Sequence, residues 1–359
     1  MTVFASVGRG LRRGWPWTGL VGAVVVGGLA GGLIAAATDT SSSSSSADVC
    51  SASKVANDVL PSVVTISARG SSGAGTGSGE VIRSNGYILT NNHVISIAAS
   101  GGSVQVLFSD GLSAPATITG RDPATDLAVI KVDEQNLPVI PFASSNDLVV
   151  GQPVVVLGAP LGLSSTVTSG IVSALDRTIE VPGDNGQNAL LVGAVQTDAA
   201  INPGNSGGSM TNCSGDLIGV PSAGATVPNE AGQSSAGSVG IGFAIPSNLA
   251  QMVSNEIIET GGVTHAYFGM SVAPIPPAVA AKAGTSPGLF VVSVSPGGPA
   301  QEAGLQEGDV ITEINGEPAT DANQLYSLTL TQRAGETVSI TYERDGHSTQ
   351  TKITLGSEP

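Results

Sequence analysis

Three short segments carry residue types able to do nucleophilic chemistry: Thr90-Asn91-Asn92-His93-Val94, Asp126-Leu127-Ala128-Val129 and Gly204-Asn205-Ser206-Gly207-Gly208. A serine hydroxyl is a weak nucleophile at neutral pH. It becomes competent when an imidazole takes its proton and a carboxylate holds that imidazole in one tautomer and stabilises the imidazolium. His93, Asp126 and Ser206 could form such a set. The chain has 3 histidines, and the other two, His265 and His347, fall in a linker and an Asp-Gly turn. Asp122, Asp133 and Asp198 compete for the carboxylate role. Asp126 leads because it opens an apolar strand, where a buried carboxylate needs a cationic partner. The glycines have a role of their own. Two converging backbone N–H groups stabilise a tetrahedral oxyanion, which requires unusual backbone angles and no side chain in the way. Gly204-Asn205-Ser206 is the expected oxyanion pocket, with Gly204 and Ser206 as its N–H donors. Gly207 and Gly208 let the chain turn away behind the nucleophile.

The elements that must position these residues are short strands. The order His, Asp, Ser is that of chymotrypsin-type double β-barrels, not of subtilisins or α/β-hydrolases. From about Ser51 onward, β-rich runs alternate with Gly, Asn and Asp: Val63–Ala68, Gly79–Arg83, Tyr87–Thr90, Val104–Phe108, Ala114–Arg121, Leu127–Val132, Val154–Leu157, Val167–Ala174 and Leu217–Val220. Ser84-Asn85-Gly86 and Ser109-Asp110-Gly111 have the turn chemistry of hairpins. Many strands without intervening helices predict an all-β barrel or sandwich. A helix is expected over Ser247–Glu259, ended by Gly261 and Gly262. Beyond it the pattern becomes mixed α and β, with strands over Leu289–Val294, Asp309–Ile314, Thr337–Arg344 and Thr351–Leu355. Helical spacing covers Pro299–Ala303 and Ala322–Thr331. The fold class read here is therefore mainly β, a double β-barrel over 51–262 followed by a small α+β domain over 266–357.

The N-terminus has a different character. Arg9, Arg12 and Arg13 precede Trp15 and Trp17, and Thr18 to Thr38 contains no charge. That run is about 20 residues long, enough for a helix to cross a bilayer, and the flanking arginines would keep residues 1–17 in the cytoplasm. The expectation is a single membrane anchor over 18–38 with the rest exported. A cleaved signal segment is the alternative, and Ala35-Ala36-Ala37 would serve its cleavage. A Ser-rich linker follows over 39–50. Cys50 and Cys213 form an even pair, which in an oxidising compartment points to one disulfide; two free thiols are the alternative. A net charge of −15 with 13 basic residues among 359 excludes nucleic acid as a natural partner. The histidines and cysteines lack metal-ligand spacing, and no phosphate-binding loop follows a strand, so no metal or cofactor is expected.

The three segments, with Thr197-Asp198-Ala199-Ala200-Ile201-Asn202-Pro203 and Gly240-Ile241-Gly242-Phe243-Ala244-Ile245-Pro246, resemble the HtrA/Deg family of serine proteases. The resemblance spans Ala56 to Leu355. One departure is Ser209, where the family often has Pro or Ala. It implies an extracytoplasmic serine endopeptidase acting on unfolded or misfolded exported proteins, in protein quality control and stress response, and a homotrimer. Ala200 and Ile201 would form the base of the primary specificity pocket. With no acidic residue there, the pocket should favour small aliphatic side chains; the alternative is that Ile201 only packs in the barrel. Tyr267-Phe268-Gly269-Met270 resembles the carboxylate-binding loop of PDZ domains, and Asp309 to Gly316 matches the same fold. Such a domain captures C-terminal peptides by strand addition. Loops over Asp176–Gly193 and Ser222–Val239 are the expected switch elements. The rival reading is a non-catalytic chaperone or scaffold that binds unfolded chains and partner C-termini.

Overall fold

The computed structural model describes residues 50–159, 166–182, 188–224 and 238–358. The expected cytoplasmic segment, membrane anchor and all but the last residue of the Ser-rich linker lie outside the described residues. Among the described residues no helix is long and apolar enough to cross a membrane.

A short helix, α1 (Ala52–Val59), leads into the first barrel. Its strands are β1 (Val63–Gly70), β2 (Gly73–Arg83), β3 (Tyr87–Asn91), β4 (Ser103–Leu107), β5 (Ser113–Asp122) and β6 (Leu127–Val132), closed in the order β1-β2-β3-β6-β5-β4. One helical turn, α2 (Asn92–Ile95), interrupts the series after β3 and carries His93. The second barrel contains β7 (Pro153–Gly158), β8 (Thr166–Pro182), β9 (Asn188–Thr197), β10 (Ser209–Thr211), β11 (Leu217–Gly224) and β12 (Gly242–Pro246), closed in the order β10-β11-β12-β9-β8-β7.

Side-chain alternation explains why these runs become strands. In β4, Val104 and Val106 point inward while Ser103 and Gln105 face solvent. In β6 both faces are apolar and buried except at Lys131. Ala128, Ile130 and Val132 fill the first barrel, and Leu127 and Val129 line the seam between the barrels. β7 does the same in the second barrel, with Val154 and Val156 inside and Val155 and Leu157 in the seam. Each of these Val, Leu and Ile side chains contributes roughly 1.5–3 kcal/mol by leaving water. Helix α3 (Ser247–Thr260) covers the seam with Leu249, Ala250, Val253 and Ile257, and Gly261 ends it in the left-handed region at φ 85°.

The C-terminal part is built from β13 (Ala266–Tyr267), β14 (Met270–Ile275), α4 (Pro277–Ala283), β15 (Gly288–Val294), α5 (Pro299–Glu302), β16 (Val310–Ile314), β17 (Glu317–Pro318), α6 (Asn323–Thr331), β18 (Thr337–Arg344), β19 (His347–Thr354) and β20 (Gly356–Ser357). Its main sheet runs β14-β15-β16-β18-β19, so β14 is an edge strand; β13 pairs with β20. Phe268, Leu289, Val291, Ile311, Ile340 and Ile353 are in its core.

Two segments differ from the sequence reading, and the expected disulfide is present. The segment over Asp176–Gly193, expected as a loop, is mostly the β8–β9 hairpin, with three register shifts along β8 and Asp176 at φ 56°. Only 183–187 of it lies outside the described residues. Of the other expected loop, Ser222 to Gly224 extend β11, and 225–237 lie outside the described residues. Cys50 and Cys213, 163 residues apart, are joined by a disulfide that ties the start of α1 to the β10–β11 turn.

Candidate active site

Asp126 sits between β5 and β6 at φ 58°, a backbone region that non-glycine residues rarely adopt. The turn persists because its surroundings over-determine it. The Asp126 carbonyl accepts Asn91 Nδ2–H at 2.9 Å and Asn92 N–H at 3.0 Å. Its carboxylate is almost fully buried. Oδ1 accepts the His93 backbone N–H at 3.0 Å, and Oδ2 lies 2.8 Å from His93 Nδ1. Bonding Nδ1 to Asp126 fixes the tautomer that leaves Nε2 free of its proton and able to accept one. The His93 side chain is 38% exposed, against 3% for Asp126.

Ser206 lies on the loop before β10, in the other barrel. Ser78 N–H donates to its carbonyl at 2.9 Å. A Cβ on Gly77 would lie 2.5 Å from Val94 and 3.1 Å from the Ser206 carbonyl, so β2 brings the nucleophile loop beside the helical turn carrying His93. Ser78 Oγ fastens the loop from behind, donating to the Gly204 carbonyl at 2.6 Å and accepting Ala159 N–H at 2.7 Å. Gly207, at φ 79°, abuts Thr90 Oγ1 and the Ser78 carbonyl so closely that no side chain fits there.

Of the expected oxyanion residues, Asn205 uses its N–H inside the turn, donating to the Asn202 carbonyl at 3.0 Å. Its side-chain amide donates to the Ala200 carbonyl at 3.3 Å. The Gly204 and Ser206 backbone N–H groups, two residues apart, are without a partner among the described residues.

Sequence reasoning missed Ser222. Its Oγ donates to Asp126 Oδ2 at 2.6 Å, and its carbonyl accepts the Ser206 hydroxyl at 3.3 Å. One residue thus touches the Asp126 carboxylate and the Ser206 hydroxyl together. A polar residue in the otherwise apolar, buried run of β11 was the available signal.

The remaining carboxylates have other uses. Asp198 Oδ1 accepts Ile171 N–H at 2.8 Å, and Asp122 is bonded to His265. Ile201 is buried in the core of the second barrel, its Cδ1 2.5 Å from where a Gly242 Cβ would sit. Gly224 and Gly242 are paired across β11 and β12, and the Ile201 carbonyl closes on Gly224. Ile201 thus packs in the barrel core against two glycines of neighbouring strands, with its side chain buried.

In the C-terminal part, Phe268 packs its ring into the core while its carbonyl accepts Ala300 N–H at 2.9 Å. The Gly269 carbonyl accepts Ser295 N–H at 2.8 Å, and Tyr267 Oη lies 2.7 Å from Ser295 Oγ. With φ 71° and Pro299 Cδ 3.0 Å from its Cβ position, Gly269 has no room for a larger residue. The loop from Tyr267 to Met270 opens directly onto the edge strand β14.

A model of the trypsin-like peptidase domain matches residues 77–220, and a PDZ domain model matches residues 263–355. The serine protease PepD of Mycobacterium tuberculosis is 40% identical over 337 residues, covering 92% of this chain and 71% of that protein. The Do-like HtrA serine protease of Lactobacillus helveticus is 39% identical, covering 78% and 68%. A probable periplasmic DegP-like serine endoprotease of Rhizobium meliloti is 38% identical, and the chain spans 53% of its length. Among solved structures, the HtrA-type protease AlgW with a decapeptide superposes with a TM-score of 0.67 at 32% identity, covering 86% of this chain and 99% of that one.

Proposed function

The chain belongs to the HtrA-type serine proteases, a trypsin-like peptidase domain followed by one PDZ domain, and from that premise we propose an extracytoplasmic endopeptidase that cleaves unfolded or misfolded exported proteins through an acyl-enzyme. His93 takes the Ser206 proton as the hydroxyl attacks the scissile carbonyl. Asp126 holds the resulting imidazolium, and the Gly204 and Ser206 amides receive the oxyanion. His93 then gives the proton to the leaving amine, and a water activated by the same ring releases the acyl group. Ser206 starts this sequence by leaving the Ser222 carbonyl, to which its present bond is long.

The observation that carries this reading is the convergence of both barrels on Ser222, bonded to Asp126 and Ser206 together. A scaffold that only binds unfolded chains has no use for that arrangement. Labelling by a fluorophosphonate tests it. The wild-type chain should react at Ser206, and Ser206→Ala and His93→Ala should not; an unlabelled wild-type chain would leave the scaffold reading in place.

The substrate slot behind Ser206, backed by Ala200 and Ile201, accepts a small aliphatic residue before the scissile bond, such as Val or Ala. Cleavage of a peptide mixture mainly after Lys or Arg would refute this. Phe268, Gly269 and Met270 hold the carboxylate of a C-terminal peptide that adds to β14 as a further strand. The peptide complexes of AlgW support that part of the reading. Peptide capture favours the cleaving state of the protease only as far as the peptide binds that state more tightly. Residues 18–38 anchor the chain in the membrane, and the exported part works as a homotrimer. Neither metal nor cofactor takes part.

A further inference from the structure

The turn that carries Asp126 is also held from the PDZ side. Asp122 closes β5 and forms the hub of residues 122–126. Its Oδ1 accepts Ala124 N–H at 3.2 Å, and its Oδ2 accepts the Thr125 hydroxyl at 2.5 Å. The same Oδ1 lies 2.9 Å from His265 Nε2, in the strap between α3 and β13, and the two side chains are 13% and 4% exposed. His265 is fastened in turn to the C-terminal part, its carbonyl accepting Glu358 N–H at 3.0 Å next to the β13–β20 pair.

A second contact grips the turn from the same direction. Leu330 of α6 is buried against Leu190, Val192 and Ala124, while Leu190 N–H donates to the Ala124 carbonyl at 3.2 Å. Arg333, just past α6, meets Glu256 of α3 at 2.7 Å. The charged and titratable groups facing His265 are Asp122, Glu358 and Arg333, and Tyr326 lies close enough to Asp122 and Glu358 to feel them. Burial opposes charging the His265 ring, but the hydrogen bond and charge of Asp122, aided by Glu358, outweigh burial and Arg333 and raise its pKa above 6.5.

Asp126 sits at a strained φ four residues from this hub. Small displacements of a triad member are expensive in rate. We propose that His265 is a positioning residue for the catalytic aspartate. Through Asp122 it holds the 122–126 turn in register, so the seating of the PDZ domain sets how well Asp126 backs His93. The inference rests on the protease reading above.

The test uses the full chain with His265→Ala, His265→Gln and Leu330→Ala. Peptide hydrolysis is followed across pH, and the His93 ring is titrated by NMR, where 3 histidines give a sparse spectrum. In His265→Ala, kcat should fall on the order of ten-fold with KM changed less than about two-fold. The acidic limb of the rate profile and the His93 titration should both move to lower pH, because a displaced Asp126 stabilises the imidazolium less. His265→Gln, whose amide still donates to Asp122, should recover most of kcat. A His265→Ala protein with wild-type kcat and an unmoved His93 titration, but a lower Tm, would overturn the proposal. If that variant does not fold, Leu330→Ala loosens the same docking and must show a partial loss with the same shift; wild-type values there overturn it equally. An inactive wild-type chain would count against the protease reading, and the His93 titration would still decide this one.

Discussion

Ser222 donates its hydroxyl to Asp126 Oδ2 over 2.6 Å, across the seam between the two barrels. A hydrogen bond to a buried charged group is worth about 1.5–3 kcal/mol, and leaving the acceptor short of a donor costs at least as much as the bond gains. Ser222→Ala should therefore slow acylation by about ten- to a hundred-fold, with KM little changed. Fluorophosphonate labelling rates measure this without a choice of substrate. A variant that labels as fast as the wild type would show that Asp126 needs only His93.

The slot behind Ser206 makes a second prediction. Ile201 packs against Gly242, and on the proposed pocket it is the side chain that limits the residue before the scissile bond. Trimming it to Ala removes three carbons' worth of volume beside the scissile residue. Ile201→Ala should raise kcat/KM for Leu or Met before the scissile bond by roughly ten-fold relative to Val, the range one or two methylenes command in an apolar pocket. Because Ile201 also packs in the barrel core, the variant should lose about 2–4 kcal/mol of stability. Peptide-library profiles compared at a temperature where both proteins are folded separate the two effects. An unchanged profile would place Ile201 in the core alone.

How legible all this was depended on whether a residue's surroundings are local in sequence. β4 and β6 could be read because alternation, or its absence in a doubly buried strand, is written in consecutive residues. β9 could not: Gly193 breaks its apolar run, and its partner β8 reaches it only through successive register shifts. His93, Asp126 and Ser206 stand out by residue type and by the glycines beside Ser206. Ser222 stands out only as a polar residue closing the apolar run of β11, which does not say that it faces Asp126, 96 positions earlier. His265 reads as a linker residue because its partner Asp122 is 143 positions away.

The Cys50–Cys213 bridge closes a loop of 163 residues that contains most of both barrels. A constraint on so long a loop removes much of the unfolded chain's freedom, and losing such a bridge typically costs 2–5 kcal/mol, roughly. The double variant Cys50→Ser, Cys213→Ser should melt at a lower temperature yet cleave at a near wild-type rate while folded, since neither cysteine is at the triad. Calorimetry beside a peptide assay tests both halves. Equal melting temperatures would mean that α1 is held by Val55 and Val59 in the seam, without help from sulfur.

Glu80 offers the sharpest pH prediction. It is fully buried on β2, opposite Val63 and Leu89, which both line the seam, and neither carboxyl oxygen has a hydrogen-bond partner among the described residues. Ser209, opposite Leu157 on the other wall, is likewise buried with its hydroxyl unpartnered. Burial alone pushes the Glu80 carboxyl well above its ordinary 4.5, so the folded protein holds this proton to higher pH than the unfolded chain does. The unfolded chain sheds it near 4.5. Between that point and the raised folded value the unfolded state binds fewer protons, and stability must fall as pH rises. The contribution is complete below 4.5 and declines by at most about 1.4 kcal/mol per pH unit above it. Glu80→Gln should flatten that decline, and Glu80→Leu should flatten it and also raise stability by about 1–3 kcal/mol, by removing an unpaired buried polar group. Urea melts at about pH 5 and about pH 8 give the slope for each protein. If the wild type and Glu80→Gln lose stability in parallel over that range, the carboxyl is ionised in the folded state and the seam must hold a partner for it.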